Sequence, residues 1–88
     1  PETATSLVLS AERSIESGDY EMAVDEIAEA LNIDRSYGEA YLVLGRARME
    51  LGHIDLAKTA LGQAVVLARS EKTQNEALSL LVGLSGPR

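Results

Sequence analysis

Apolar residues return along this chain at helical spacing. Ala23, Ile27 and Ala30 fall on one stripe, and Ala57, Leu61 and Ala64 repeat the same spacing further on. Positions i, i+4 and i+7 share one face of a helix, so each run predicts an amphipathic helix with a small–large–small stripe. Gly18 and Gly52 each follow one helical stretch and precede another, and glycine readily takes the left-handed conformation that ends a helix and turns the chain. The pattern predicts helices over about Ala4–Ser17, Tyr20–Asn32, Tyr37–Leu51, Ile54–Arg69 and Lys72–Leu84, with Ser85-Gly86-Pro87-Arg88 stopping the last. Asp19 is placed to cap the second helix. His53, at the matching place, caps poorly, although Asp55 still puts a negative charge in the first turn. No run shows the alternation that a strand requires.

The two stripes belong to a longer echo. Gly18-Asp19-Tyr20-Glu21-Met22-Ala23 returns as Gly52-His53-Ile54-Asp55-Leu56-Ala57, an offset of 52 − 18 = 34 residues. In the same register Ala30 recurs as Ala64, Arg35 as Arg69, Ser36 as Ser70, Leu44 as Leu78 and Glu16 as Glu50. Apolar character is kept where identity is lost, as in Ile27 and Leu61, Leu31 and Val65, and Ile33 and Leu67. A fixed period near 34 residues is the signature of stacked helix–turn–helix units.

The stretch from Tyr41 to Arg69 resembles the tetratricopeptide repeat family. Tyr41 stands where the family favours Trp or another large residue, Leu44-Gly45 matches its Leu-Gly pair, and Gly52 matches its inter-helix turn. Ala57, Leu61 and Ala64 match its small–large–small stripe. The sequence departs from the pattern at Arg69, in place of the helix-ending Pro, and at Arg48, in place of a Tyr. The preceding unit matches through Leu7, Ser10 and Ala11 in its first helix, and better through Gly18, Tyr20, Ala23, Ile27 and Ala30 in its second. The resemblance implies an all-α, antiparallel α-solenoid of about two and a half repeats forming a single domain over residues 1–88. Repeat one covers about 4–37, repeat two about 38–71, and a half-repeat helix about 72–85.

Composition narrows the chemistry. At 88 residues the chain suffices for one small domain, which buries only about two-thirds of its unfolded surface. Phe, Trp and Cys are absent, so Leu, Val, Ile, Ala, Met and Tyr must build the core, and there is neither a disulfide framework nor a thiolate metal site. The net charge of −6 opposes binding to nucleic-acid phosphates and to anionic membranes. No apolar run approaches the ~20 residues that span a bilayer, and no signal peptide is visible. The expectation is a soluble chain, cytoplasmic rather than secreted. Its opening on Pro1 instead of Met suggests a processed product or an excised fragment.

No residue set points to catalysis, a metal or a cofactor. His53 is the only histidine and lies in a predicted turn near Asp55, without the nucleophile or held acid that catalysis needs. Asp25, Glu26 and Glu29, with Glu21 before them, read as the solvated outer face of the second helix rather than a docking patch or cation site. The glycines lack a phosphate-loop context. Gly45 and Gly62 fall inside predicted helices, at a cost of about 1 kcal/mol each against Ala, which close helix–helix contact explains.

The family resemblance implies a concave groove lined by the first helix of each unit. Its register places Val8, Glu12 and Ile15 there, then Leu42, Arg46 and Met49, then Glu76, Leu80 and Leu84. Some members grip a terminal carboxylate with Lys, Asn and Arg on this face. The corresponding places here hold Val8, Glu12, Val43, Thr73 and Ala77, so that clamp is missing. What remains is an apolar strip with Arg46 at its centre, suited to an amphipathic helix or an extended apolar segment. The expected function is non-catalytic protein–protein interaction, with Val8, Glu12, Ile15, Leu42, Arg46, Met49 and Leu80 as contact residues, internal packing in so short a domain being the alternative for Val8 and Leu80. The alternative is homo-oligomerisation through the last helix, where Leu78, Leu80, Leu81, Val82 and Leu84 cover more than one face.

Overall fold

The computed structural model describes residues 2–86. Pro1 and the expected Pro87-Arg88 tail lie outside the described residues. Five helices follow one another: α1 Ala4–Glu16, α2 Tyr20–Ile33, α3 Gly38–Glu50, α4 Ile54–Leu67 and α5 Glu71–Ser85. There is no strand among the described residues. Each helix packs on its neighbour in sequence, and α1 also touches α3, as α3 touches α5. Short connections force consecutive helices antiparallel. The result is an elongated stack, 45 × 26 × 18 Å.

The two glycine turns are the same device used twice. Gly18 has φ +83° and Gly52 φ +82°. The Gly18 N–H donates to the Ile15 carbonyl at 3.0 Å and the Asp19 N–H to the Ser14 carbonyl at 2.7 Å. Gly52 and His53 repeat both bonds, to Met49 at 3.0 Å and Arg48 at 2.9 Å. This double closure satisfies the last carbonyls of α1 and α3 and starts the return helix within three residues. It also defeats the expected Asp19 cap. The chain leaves the turn with Asp19 at φ −92°, ψ 67°, and its side chain makes no capping bond. Side-chain caps occur instead at Thr3, which forms a reciprocal box with Ser6, and at Ser70, which accepts from the Thr73 N–H at 3.1 Å.

The small–large–small stripes become the core. Ala23, Ile27 and Ala30, like Ala57, Leu61 and Ala64, are wholly buried. Burying an Ile or Leu side chain contributes about 1.5–3 kcal/mol. One buried cluster joins α1, α2 and α3 through Leu7, Val8, Ala11, Ile27, Val43 and Leu44. A second joins α3, α4 and α5 through Leu42, Leu61, Ala64 and Ala77. Tyr41 packs on both clusters and donates its hydroxyl to the Arg35 carbonyl at 3.3 Å.

The glycines separate by environment. A Cβ on Gly45 would lie 2.6 Å from Leu61 Cδ2, which is the close contact expected there. Gly62 does not share it: nothing lies within 4 Å of the place its Cβ would take. The tightest glycine is Gly38, the first residue of α3, whose Cβ would collide with the backbone of Leu67 and Ala68.

That contact shapes the α4–α5 junction. Helix α4 stops at Leu67, two residues before the expected Arg69, because Ala68 is extended (φ −60°, ψ 139°) against Gly38. The N–H groups of Arg69 and Ser70 then donate to Glu39 Oε2 at 3.1 and 3.3 Å. Tyr37, expected inside α3, is its N-cap residue. The Arg69 guanidinium lies 5.8 Å from the centroid of its ring and pairs with Asp34 at 3.3 Å. So Arg69, in the place of the missing Pro, ties the loop after α4 back to the loop after α2.

The environments of Gly38, Gly62 and Asp34 each give a prediction. Gly38→Ala must push backbone aside and is expected to lower stability by about 1–3 kcal/mol. Gly62→Ala adds a methyl in open space and is expected to raise stability by up to about 1 kcal/mol. Urea denaturation followed by circular dichroism reads both, and equal effects would contradict the packing described. At the junction, the Ser36 backbone N–H, the Ser36 hydroxyl and Arg69 hold the Asp34 carboxyl below its ordinary pKa. A depressed carboxyl contributes stability above the unfolded-state value, about 4, and loses it as pH falls through the folded-state value. The stability gap between the natural protein and Asp34→Asn is therefore expected to close as pH drops below about 4. A gap unchanged with pH would show that the carboxylate charge contributes nothing. The pair is exposed, so the gap is small at any pH.

Candidate partner-binding site

Helices α1, α3 and α5 come together along one side of the stack. Between them lies a cleft of about 260 Å³ lined by Ile15, Arg46, Met49, Glu50, Glu76 and Leu80. Ile15 enters from the last turn of α1, Arg46, Met49 and Glu50 from the second half of α3, and Glu76 and Leu80 from the middle of α5. The spacing explains the convergence. Arg46 and Glu50, like Glu76 and Leu80, are four residues apart and so share a helix face. Ile15, Met49 and Gly83 are equivalent under the 34-residue offset, so the first two present side chains at the same level of successive units.

Five cleft residues are thus ones the register placed on the concave face: Ile15, Arg46, Met49, Glu76 and Leu80. Glu50 was missed. It lies one turn beyond Arg46, and that i+4 relation was the signal available. The other expected contact residues are elsewhere. Val8 is 6% exposed, packed in the first cluster, and Leu42 is 7% exposed, packed in the second against Leu61, Ala64 and Ala77. Both are therefore corrected from contact surface to core, because a stack this short turns part of its inner face into helix–helix contact. Glu12 is half-buried outside the cleft, and Leu84, which like Met49 and Leu80 packs against the second cluster, does not line it. Of the places where a carboxylate clamp would stand, Val43 and Ala77 are buried as well.

The electrostatics of the cleft centre on Arg46. Among the described residues the one ion pair is Arg69 with Asp34, and Arg46 makes neither an ion pair nor a hydrogen bond. A guanidinium presents five donors in a planar fork. This one sits between the apolar side chains of Ile15, Met49 and Leu80, with Glu50 and Glu76 on the walls.

A second, shallower cleft of about 300 Å³ lies between α2 and the α3–α4 turn, lined by Glu21, Val24, Asp25, Arg48, Leu51, His53 and Leu56. It holds His53, which is exposed. Among the described residues no three His, Asp or Glu side chains gather into a group that could hold a metal ion. The acidic run on α2 divides. Glu21, Asp25 and Glu29 face solvent, as expected. Glu26 does not: its carboxylate turns to α1, where Ser10 donates to one oxygen and Ser14 to the other, the latter at 2.8 Å. The serines were legible only as helix residues, and it took the packing of α2 on α1 to pair them with an acid.

No described helix is long and apolar enough to cross a membrane. No curated protein and no solved structure matches the chain. A model of the tetratricopeptide repeat matches residues 14–81, most of the 88. That span contains both glycine turns, both small–large–small stripes, the whole of α3 and every residue that lines the cleft. On that match, and with five antiparallel helices in a 34-residue repeat to support it, the chain belongs to the tetratricopeptide repeat family.

Proposed function

We propose that this domain is a non-catalytic protein-interaction module whose α1–α3–α5 cleft grips an apolar segment of a partner protein. Tetratricopeptide repeats generally mediate protein–protein interaction, and the cleft supplies the particular surface. The observation that carries the reading is Arg46, a guanidinium without a partner among the described residues, set between Ile15, Met49 and Leu80. A buried-edge cation beside apolar walls suits a segment that brings an aliphatic or aromatic side chain together with a carboxylate or carbonyl acceptor. Met49 adapts to the shape of the side chain it meets. The cleft is at or below the low end of volumes that enclose a small-molecule ligand, which favours one or two anchoring side chains over a cofactor.

An affinity pull-down with the domain, read by mass spectrometry, tests this. Arg46→Glu is expected to keep helical circular dichroism and thermal stability and to weaken capture of the specific partner by about tenfold or more. Leu80→Asp, on the opposite wall, is expected to weaken capture likewise, with some loss of stability because Leu80 also packs on the second cluster. Leu42→Asp is expected to unfold the domain, because it buries an unpaired carboxylate in the second cluster and total domain stability is only about 5–15 kcal/mol. Capture of the same proteins in equal amount by the natural domain, Arg46→Glu and Leu80→Asp would remove the cleft as the binding surface.

A further inference from the structure

The α1–α3–α5 cleft has a charge order as well as a shape. Under the 34-residue offset Leu80 of α5 is level with Arg46 of α3, and Glu76 is level with Leu42, one turn earlier. Glu50 lies one turn after Arg46 on α3 itself. Four helical residues rise about 6 Å. Along the cleft the charges therefore run Glu76, Arg46, Glu50, which is negative, positive, negative at steps of about 6 Å. Ile15 and Met49 stand between the levels of Arg46 and Glu50, and Leu80 stands opposite Arg46. None of the three charges is engaged within the domain, since the one ion pair among the described residues is Arg69 with Asp34. Arg46 and Glu50 are close enough in sequence to pair, but a cation before an anion is the weaker order on a helix. Glu50 and Glu76 are exposed and Arg46 is half-buried. The repeat does not impose this order. The counterparts of Glu76 are Leu42 and Val8, those of Arg46 are Leu80 and Glu12, and those of Glu50 are Leu84 and Glu16.

We propose that the occupant of the cleft is an amphipathic helix of another protein with a basic, an acidic and a basic residue at i, i+4 and i+8, and an apolar side chain in the turn between the acidic residue and one of the basic ones. This occupant presupposes that the cleft is the binding surface, and it adds which chemistry the surface selects. A helix laid along α3 rises by the same step as α3, so its three charges meet Glu76, Arg46 and Glu50 in turn, and its apolar side chain meets Ile15 and Met49. The charge order is symmetric, so a helix running in either direction satisfies it. The reverse order, acidic, basic, acidic, sets like charges against one another at all three levels. An extended segment gains its affinity from main-chain hydrogen bonds to a sheet edge, and the walls here are side chains of helices. A helix brings its own backbone bonds satisfied. A second copy of this chain does not qualify. None of its described helices carries basic, acidic and basic residues at four-residue steps, and each copy has a net charge of −6.

The test uses capped, helix-forming synthetic peptides that share one apolar stripe and differ only at the three charged positions, which hold Lys, Glu, Lys or the inverse, Glu, Lys, Glu. Each is titrated into the isotope-labelled domain and followed by amide chemical shifts. The Lys–Glu–Lys peptide is expected to shift Ile15, Arg46 to Glu50 and Glu76 to Leu80, and to bind about tenfold more tightly than its inverse. The margin is expected to shrink as salt is added. A domain with all three charges reversed, Arg46→Glu with Glu50→Lys and Glu76→Lys, is expected to prefer the inverse peptide. If that domain loses helical circular dichroism, Glu50→Gln with Glu76→Gln replaces it and is expected to narrow the margin about threefold. Equal binding of the two peptides at the cleft, or a margin unchanged by these substitutions, overturns the charge order and leaves the cleft as the binding surface. Absence of shifts at the cleft from either peptide at millimolar concentration overturns both. Tighter binding of a proline-containing peptide with the same charges at alternate residues would replace the helix by an extended segment.

Discussion

Helices in this chain come close together where a small residue on the first helix of a unit meets a large one on the second. Gly45 under Leu61 is the clearest case, since even a methyl group at Gly45 would displace the leucine. Ala11 and Ile27, both wholly buried, hold the same places one unit earlier. Core interiors are close-packed, so a one-carbon change at such a point is felt along both helices. The core has no Phe or Trp, and small steps at these places let aliphatic side chains fill it. The flanking alanines, Ala23 and Ala30, Ala57 and Ala64, keep the backbones near enough for that to succeed.

Further contacts tie the loop after α4 to the start of α3 and to the end of α2. Glu39 Oε2 receives the N–H groups of Arg69 and Ser70, Arg69 reaches Asp34 and Tyr37, and Gly38 abuts Ala68. The Arg69 contacts join repeat two to the end of repeat one, while those of Glu39 and Gly38 tie the loop after α4 to the start of α3 within repeat two. Because α3 begins at Gly38, this junction also fixes where Arg46 and Met49 stand relative to Glu76 and Leu80. The cleft is a consequence of that alignment: its walls belong to α1, α3 and α5, and these meet only through the stacking of whole units.

The helix pattern was readable to within one residue, apart from the α4 end, which falls two residues early. There the Arg69 boundary failed because a contact with Gly38, distant in sequence, extended the chain at Ala68. Asp19 failed as a cap for a different reason. The backbone bonds around Gly18 decide the direction in which the chain enters α2, and composition at one position cannot report them. Glu26 was read with its acidic neighbours because a charge run carries no sign of which member turns inward. Leu42 was read as surface, and Val8 left open between surface and core, because register identifies a helix face and not how much of that face its neighbours cover.

Sequence alone determined the period, the turns and the stripes, because glycine conformation and helical amphipathicity are local properties that a single segment carries by itself. It therefore also determined the family, and with it an interaction module built from repeated helix pairs. Only tertiary structure decided which inner-face residues stay accessible. Ile15, Arg46, Met49, Glu76 and Leu80 remain at a cleft while Val8 and Leu42 sink into the core, because exposure depends on the distance between helices that lie far apart in the chain.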